Sequence, residues 1–256
     1  MRPTRPGACS PRGRYSVINP VGELVAFGRA SLLEPVPRDH QQTPQEFLRR
    51  RIVATVTLLV GSVLLWYSLS IPAGDNRFYW ATLALAAVWA VGSFLSGPLH
   101  IGRAWTREKE IGLPVIQSLA LAAVIIAVFL AGSILVAQIP VLRGPVDELL
   151  DYARVGSLSL VWAITMVNGI GEELFFRGAL FAAIGRRLPV VISTVVYTLT
   201  TVGTGIPLLV LAAAMLGLLC GLQRRVTGGV LGPILVHCLW SSSMLFLLPA
   251  ILDRLG

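Results

Sequence analysis

Two adjacent glutamates, Glu172 and Glu173, lie inside an apolar run, with Arg177 four residues further on. Residues four apart share a helix face, so Glu173 and Arg177 are placed to pair. Glu172 is turned about 100° away from its neighbour and has no local partner. A carboxylate shielded from bulk water and left unpaired is suited to act as a general base. His237 is the one histidine within an apolar segment, and Ser241 follows it by one helical turn. Thr201 contributes a hydroxyl from a third segment. Hydroxyls in such helices often bond only the carbonyl one turn back, and a lone histidine is often a packed core residue.

Spacing from the flanking arginines brings these groups together. Glu172 is 14 residues from Arg186, Thr201 is 14 from Arg187, and His237 is 12 from Arg225. At about 1.5 Å per residue, all three lie roughly 18–21 Å from one common boundary. Three helices thus present polar side chains at nearly one depth.

The elements that must position them are apolar helices. Covering about 30 Å of hydrocarbon takes about 20 apolar residues. The runs 52–71, 78–95, 113–139, 155–184, 189–202, 206–222 and 230–249 predict an all-α polytopic bundle of about seven transmembrane helices. The pair 189–202 and 206–222 is short and joined by Gly203-Thr204-Gly205. A turn at membrane depth has to be sheltered by protein or line a wet cavity. Cys220, between Gly217 and Gly221, has the small-residue spacing that lets helices approach closely. Residues 1–48, rich in Pro, Arg and Gly, are expected to form a disordered basic tail ahead of a membrane domain spanning 49–256.

Composition agrees. Of the 256 residues, 55% are hydrophobic and 13% charged, where a soluble domain carries about 25% charged residues. The net charge of +8 resides in arginines between the apolar runs, an arrangement that orients a membrane protein and gives no reason to expect nucleic-acid binding. One alternating set of loops holds Arg49, Arg50, Arg51, Arg103, Arg107, Lys109, Arg186, Arg187, Arg224 and Arg225. The other holds Arg77, Arg143, Arg154 and Arg254, a split of ten against four. The positive-inside rule then predicts a cytoplasmic N-terminus and an external C-terminus. Lys109 is the only lysine, a usage that goes with a GC-rich bacterial genome, so the expected location is a bacterial inner membrane. There is no HExxH for a zinc protease and no GxSxG nucleophile turn. One histidine among carboxylates is a poor zinc set, and no metal or cofactor is expected. Three scattered cysteines make no disulfide framework.

The segment Glu172-Glu173-Leu174-Phe175-Phe176-Arg177 reads EExxxR, and His237 to Ser241 reads HxxxS. This order resembles the CPBP family of membrane proteins (CAAX proteases and bacteriocin-processing enzymes, also called Abi) over about residues 155–250. The family pattern is EExxxR, then FxxxH, then HxxxN or HxxxD. The resemblance implies a glutamate intramembrane endopeptidase acting on membrane-associated or secreted peptides. Glu172 would activate water, Glu173 and Arg177 would hold the site, and His237 would polarise the scissile carbonyl or bind the water. Two positions depart from the pattern. Tyr197 and Thr201 stand where Phe and His are expected, and Ser241 stands for Asn or Asp. Neither hydroxyl carries imidazole's proton or charge, and losing an oxyanion donor costs about 10²–10³ in rate. Two further readings stay open on the residues: a catalytically degenerate relative that binds and regulates membrane partners, and a proton-coupled transporter using Glu172 and His237 as a relay.

Overall fold

A computed structural model describes residues 20–37, 41–106 and 110–255, and the chain is a helical bundle. Helices α1 (Pro20–Leu33), α2 (Pro44–Ser70), α3 (Asn76–Ser96), α4 (Val115–Ala137) and α5 (Pro140–Val155) come first. Helix α6 (Leu158–Glu173) runs through a π-helical segment, Leu174–Leu180, into α7 (Phe181–Ile184). Then follow α8 (Pro189–Val202), α9 (Pro207–Thr227) and α10 (Leu231–Leu255). A two-stranded antiparallel ladder, β1 (Ala104–Trp105) with β2 (Ile111–Gly112), sits between α3 and α4.

Six of these helices are long and apolar enough to cross a membrane, the α6–α7 unit counting as one, and α8 is a shorter apolar seventh. The bundle's outer face is apolar, with Trp80, Ile116 and Leu135 about 70% exposed. That much exposed hydrocarbon suits lipid and not water. The chain is a multi-pass membrane protein.

Two features differ from expectation. Part of the stretch read as a disordered tail, Pro20–Leu33, is helical, and α2 begins within that stretch at Pro44. Residues 1–19 and 38–40 lie outside the described residues, as do Arg107 and Lys109 of the charge count. Helix α5 had no counterpart in the apolar pattern. It is amphipathic, with Val146 and Leu150 buried and Arg143, Asp147, Asp151 and Arg154 along an adjoining face. Arg154 bridges Asp147, Asp151 and Asp253 at 3.1–3.2 Å, tying α5 to the end of α10. Tyr152 donates its hydroxyl to the carbonyls of Leu69 and Ile71, tying α5 to the end of α2.

Close approach of helices depends on small residues. A Cβ at Gly61 would fall 2.2 Å from the Trp89 ring, and one at Gly92 would fall 2.2 Å from the Thr57 hydroxyl, so α2 and α3 meet through these glycines. Gly217 and Gly221 pack on Thr194 and Val190, and Cys220 is fully buried, so that small-residue stretch serves packing within the chain. At the centre, Trp89 stacks on Phe175 at 4.6 Å, and Phe176 meets Tyr197 at 4.5 Å. This aromatic cluster fixes α3, the π-helical segment and α8 against one another.

Candidate active site

The end of α6 places Glu172 and Glu173 at the junction with the π-helical segment. Glu173 is fully buried, and its Oε1 accepts from Arg177 Nη1 at 2.8 Å, the pairing that the spacing predicts. The same oxygen accepts from His237 Nδ1 on α10, also at 2.8 Å. Removing either partner from a buried ion pair leaves an uncompensated charge and costs about 3–5 kcal/mol. Glu173 is therefore the anchor between α6 and α10. An ionised carboxylate only accepts, so Nδ1 of His237 carries the proton. In the neutral ring Nε2 is then an acceptor.

Arg177 is held from three sides. Its Nη2 reaches the carbonyl of Leu216 at 3.4 Å, and its guanidinium lies 4.8 Å from the centre of the Tyr197 ring. Arg224, buried on α9, donates Nε to the Arg177 carbonyl at 2.7 Å. A π-helical turn leaves carbonyls badly placed for the ordinary ladder, and short π segments are frequent at functional sites. Arg224 binds a carbonyl of this segment from outside the helix.

Glu172 has a partner that spacing did not reveal. Tyr197 on α8 donates its hydroxyl to Glu172 Oε2 at 2.5 Å. The tyrosine is buried, so this bond forms away from bulk water, where a charge-assisted bond counts for more. On α6, Asn168 lies one turn before Glu172. Its Nδ2 donates to the Ile164 carbonyl at 3.0 Å, while its Oδ1 is buried without a protein partner.

Glu172, Tyr197, Thr201, His237 and Ser241 all line one cavity of about 660 Å³, together with Asn168. The remaining wall is almost wholly apolar. The structure thus brings together the polar groups singled out from three segments. Within that set, Thr201 donates its hydroxyl to the Thr198 carbonyl of its own helix at 2.8 Å. Gly169 lies flat against the His237 ring, where a Cβ would meet it at 3.5 Å. Among the described residues, no three His, Cys, Asp or Glu side chains converge as a bound metal would need.

Tyr197 and Asn168 are two polar groups beside Glu172 in the cavity that sequence reasoning did not assign to the site. Tyr197 was noted only as a substitute for phenylalanine in the second motif. Asn168 carried a local signal, an amide one turn from Glu172 in an otherwise apolar stretch. Arg224 was read as a loop charge and is instead a buried support.

Residues 154–243 match the model of a protein family described as Rce1-like, type II CAAX prenyl endopeptidase. The match begins at the end of α5 and covers every polar group named above. No curated protein and no solved structure matches the chain. The family match supports a membrane-embedded protease.

Proposed function

We propose, starting from a protease core within residues 154–243, that this chain is a glutamate-type intramembrane endopeptidase. The observation that carries the reading is the unshared carboxylate: Glu173 is taken up by Arg177 and His237, whereas Glu172 faces the cavity with one tyrosine donor. Of the two, only Glu172 is free to change protonation without breaking an ion pair.

The mechanism follows from the donors and acceptors. Glu172 takes one proton from a water molecule, and His237 Nε2 accepts the hydrogen bond of the other. The water oxygen attacks the scissile carbonyl carbon, and the C=O pair moves onto oxygen. The oxyanion is met by a hydroxyl from the cavity wall. Ser241 is better placed for this than Thr201, whose proton is engaged by its own helix. The tetrahedral intermediate then expels the amine, which takes the proton held by Glu172, and the C–N bond breaks. Atoms and charge balance with water as the only co-reactant. Of the two roles the family resemblance implies for His237, the bond from Nδ1 to Glu173 favours binding the water over polarising the carbonyl, because Nε2 in the neutral ring is an acceptor.

The substrates are membrane-associated or secreted peptides, and the arginine-rich helix ends face the cytoplasm of a bacterial cell. The hydroxyl of Thr201, held in its own helix, favours a second reading: a degenerate relative that binds partners without cleaving them. The test compares new protein termini in membrane and secreted fractions of cells expressing wild type or Glu172→Gln at matched levels. Termini seen only with wild type support the peptidase. Identical profiles from two folded proteins leave the binding reading.

A further inference from the structure

Arginines crowd one corner of the bundle, where the start of α2 meets the junction of α7 and α8. Residues 44–56 and 181–199 together hold five arginines and one carboxylate, Glu46. That carboxylate is committed to its own helix. Its Oε2 accepts from the Thr43 backbone N–H at 2.8 Å and from the Thr43 hydroxyl at 2.9 Å, closing the cap of α2. Arg49 and Arg50 turn toward α3 and donate to the carbonyls of Leu95 and Pro98. The other three stay at the corner. Arg51 donates Nε to the Ala183 carbonyl at 3.2 Å and lies over the Phe47 ring, which itself abuts Gly185. One edge of its guanidinium is thus fixed, while Nη1 and Nη2 have no hydrogen bond or ion pair among the described residues. Arg186 and Arg187 follow Gly185 directly and are exposed, and they too have neither among the described residues.

The same corner continues into apolar outer surface. Ile52, Val56 and Leu59, at spacings of four and three, form a stripe down α2. Leu188, Val191 and Val195, at spacings of three and four, form another at the start of α8. All six are between 50% and 68% exposed. On α2 the stripe begins one residue on from Arg51, about 100° round the helix. Arg51 touches α7, and Trp66, further along α2, donates to the Thr200 carbonyl on α8. The two stripes therefore flank the contact of α2 with α7 and α8, and both start at the arginines.

We propose that this corner binds one anionic phospholipid, with its phosphate held by Arg51, Arg186 and Arg187 and its acyl chains laid along the two stripes. A guanidinium fork matches phosphate oxygens two at a time. Basic pockets between membrane helices at their ends are suited to lipid headgroups. The charge alone would suit any anion, and the stripes alone any lipid. An amphiphile with an anionic head satisfies both at once. A zwitterionic lipid brings a further cation to a corner that already holds three.

The experiment titrates the full-length protein in detergent with phosphatidylglycerol or with phosphatidylcholine of the same acyl chains, and counts bound lipid by native mass spectrometry. One phosphatidylglycerol retained per chain is expected, with phosphatidylcholine lost at the same concentration. Arg51→Gln, Arg186→Gln and Arg187→Gln should each weaken retention about fivefold, and the three together on the order of a hundredfold. Arg77→Gln, at the opposite end of the bundle, should leave it unchanged. If the triple variant fails to fold, Arg186→Gln and Arg187→Gln, both at exposed positions, carry the comparison. Equal retention of the two lipids, or retention that the arginine variants leave untouched, overturns the site. Displacement of the lipid by millimolar inorganic phosphate or glycerol 3-phosphate marks a site for soluble phosphates and overturns the lipid assignment.

Discussion

Replacing Tyr197 with phenylalanine removes one oxygen and nothing else. The ring keeps its packing on Phe176 at 4.5 Å and its place under the Arg177 guanidinium at 4.8 Å. What disappears is the 2.5 Å bond to Glu172 Oε2. A hydrogen bond to a charged group contributes about 1.5–3 kcal/mol net. At 1.36 kcal/mol per tenfold, a bond that holds the base for attack is worth roughly 10- to 150-fold in kcat/KM. Tyr197→Phe is therefore expected to fall by that factor while its thermal midpoint in detergent stays close to wild type. The assay is single-turnover cleavage in proteoliposomes of a substrate identified from Glu172-dependent termini. Phenylalanine is also what the family pattern carries at this position, paired with a histidine where this chain has Thr201. Thr201→His in the Tyr197→Phe background is accordingly expected to recover part of the loss. Undiminished cleavage by Tyr197→Phe would refute the claim that this hydroxyl holds the base. A parallel collapse of the thermal midpoint would show that the hydroxyl is structural.

The other predictions concern neighbouring groups. Glu173→Gln leaves the Arg177 guanidinium buried without its anion, so a loss of about 3–5 kcal/mol is expected, read as low abundance and a lowered thermal midpoint. Glu172→Gln should fold at wild-type abundance and cleave nothing, which separates the two adjacent carboxylates in one experiment. Arg224→Met removes the donor to the Arg177 carbonyl and should cost about 1–3 kcal/mol, with Arg224→Lys regaining less than half because lysine lacks the planar fork. Gly61→Ala drives a methyl into the Trp89 ring, and overpacking of this kind typically costs about 1–3 kcal/mol, checked by denaturation in detergent.

How much of this was readable in the sequence depends on the range of each interaction. The Glu173–Arg177 pair follows from a spacing of four, because helix geometry alone sets it. That Glu172, Thr201 and His237 line one cavity fits their similar distances from the arginines that end their segments. The bond from Tyr197 to Glu172 joins α8 to α6 across a hairpin geometry that no local pattern encodes. The bond from His237 to Glu173, and not to Glu172, depends on the rotation of α10 about its axis. The π-helical winding of Leu174–Leu180 has no periodic signature of its own, since the whole stretch is apolar apart from Arg177. Helix α5 escaped notice because Pro140, Gly144 and Pro145 read as breakers and its charges hide a narrow apolar stripe.

The brevity of α8 has a consequence for the lipid around it. Fourteen residues rise about 21 Å, well short of a hydrocarbon layer of about 30 Å. The turn that follows closes on itself, with Thr204 and Gly205 bonded back to Thr201 and Val202, and Trp66 donating to the Thr200 carbonyl. These bonds meet several of the polar groups that the turn would otherwise present below the membrane surface. On that flank the protein's apolar wall is lower than on the others, and lipids beside it must shorten or tilt to match it. A bilayer of ordinary thickness is expected to thin next to the helix that carries Tyr197. Thickness then becomes a variable of the site: shorter acyl chains relieve the mismatch, and a membrane thickened by longer chains is expected to strain α8 and with it the bond from Tyr197 to Glu172.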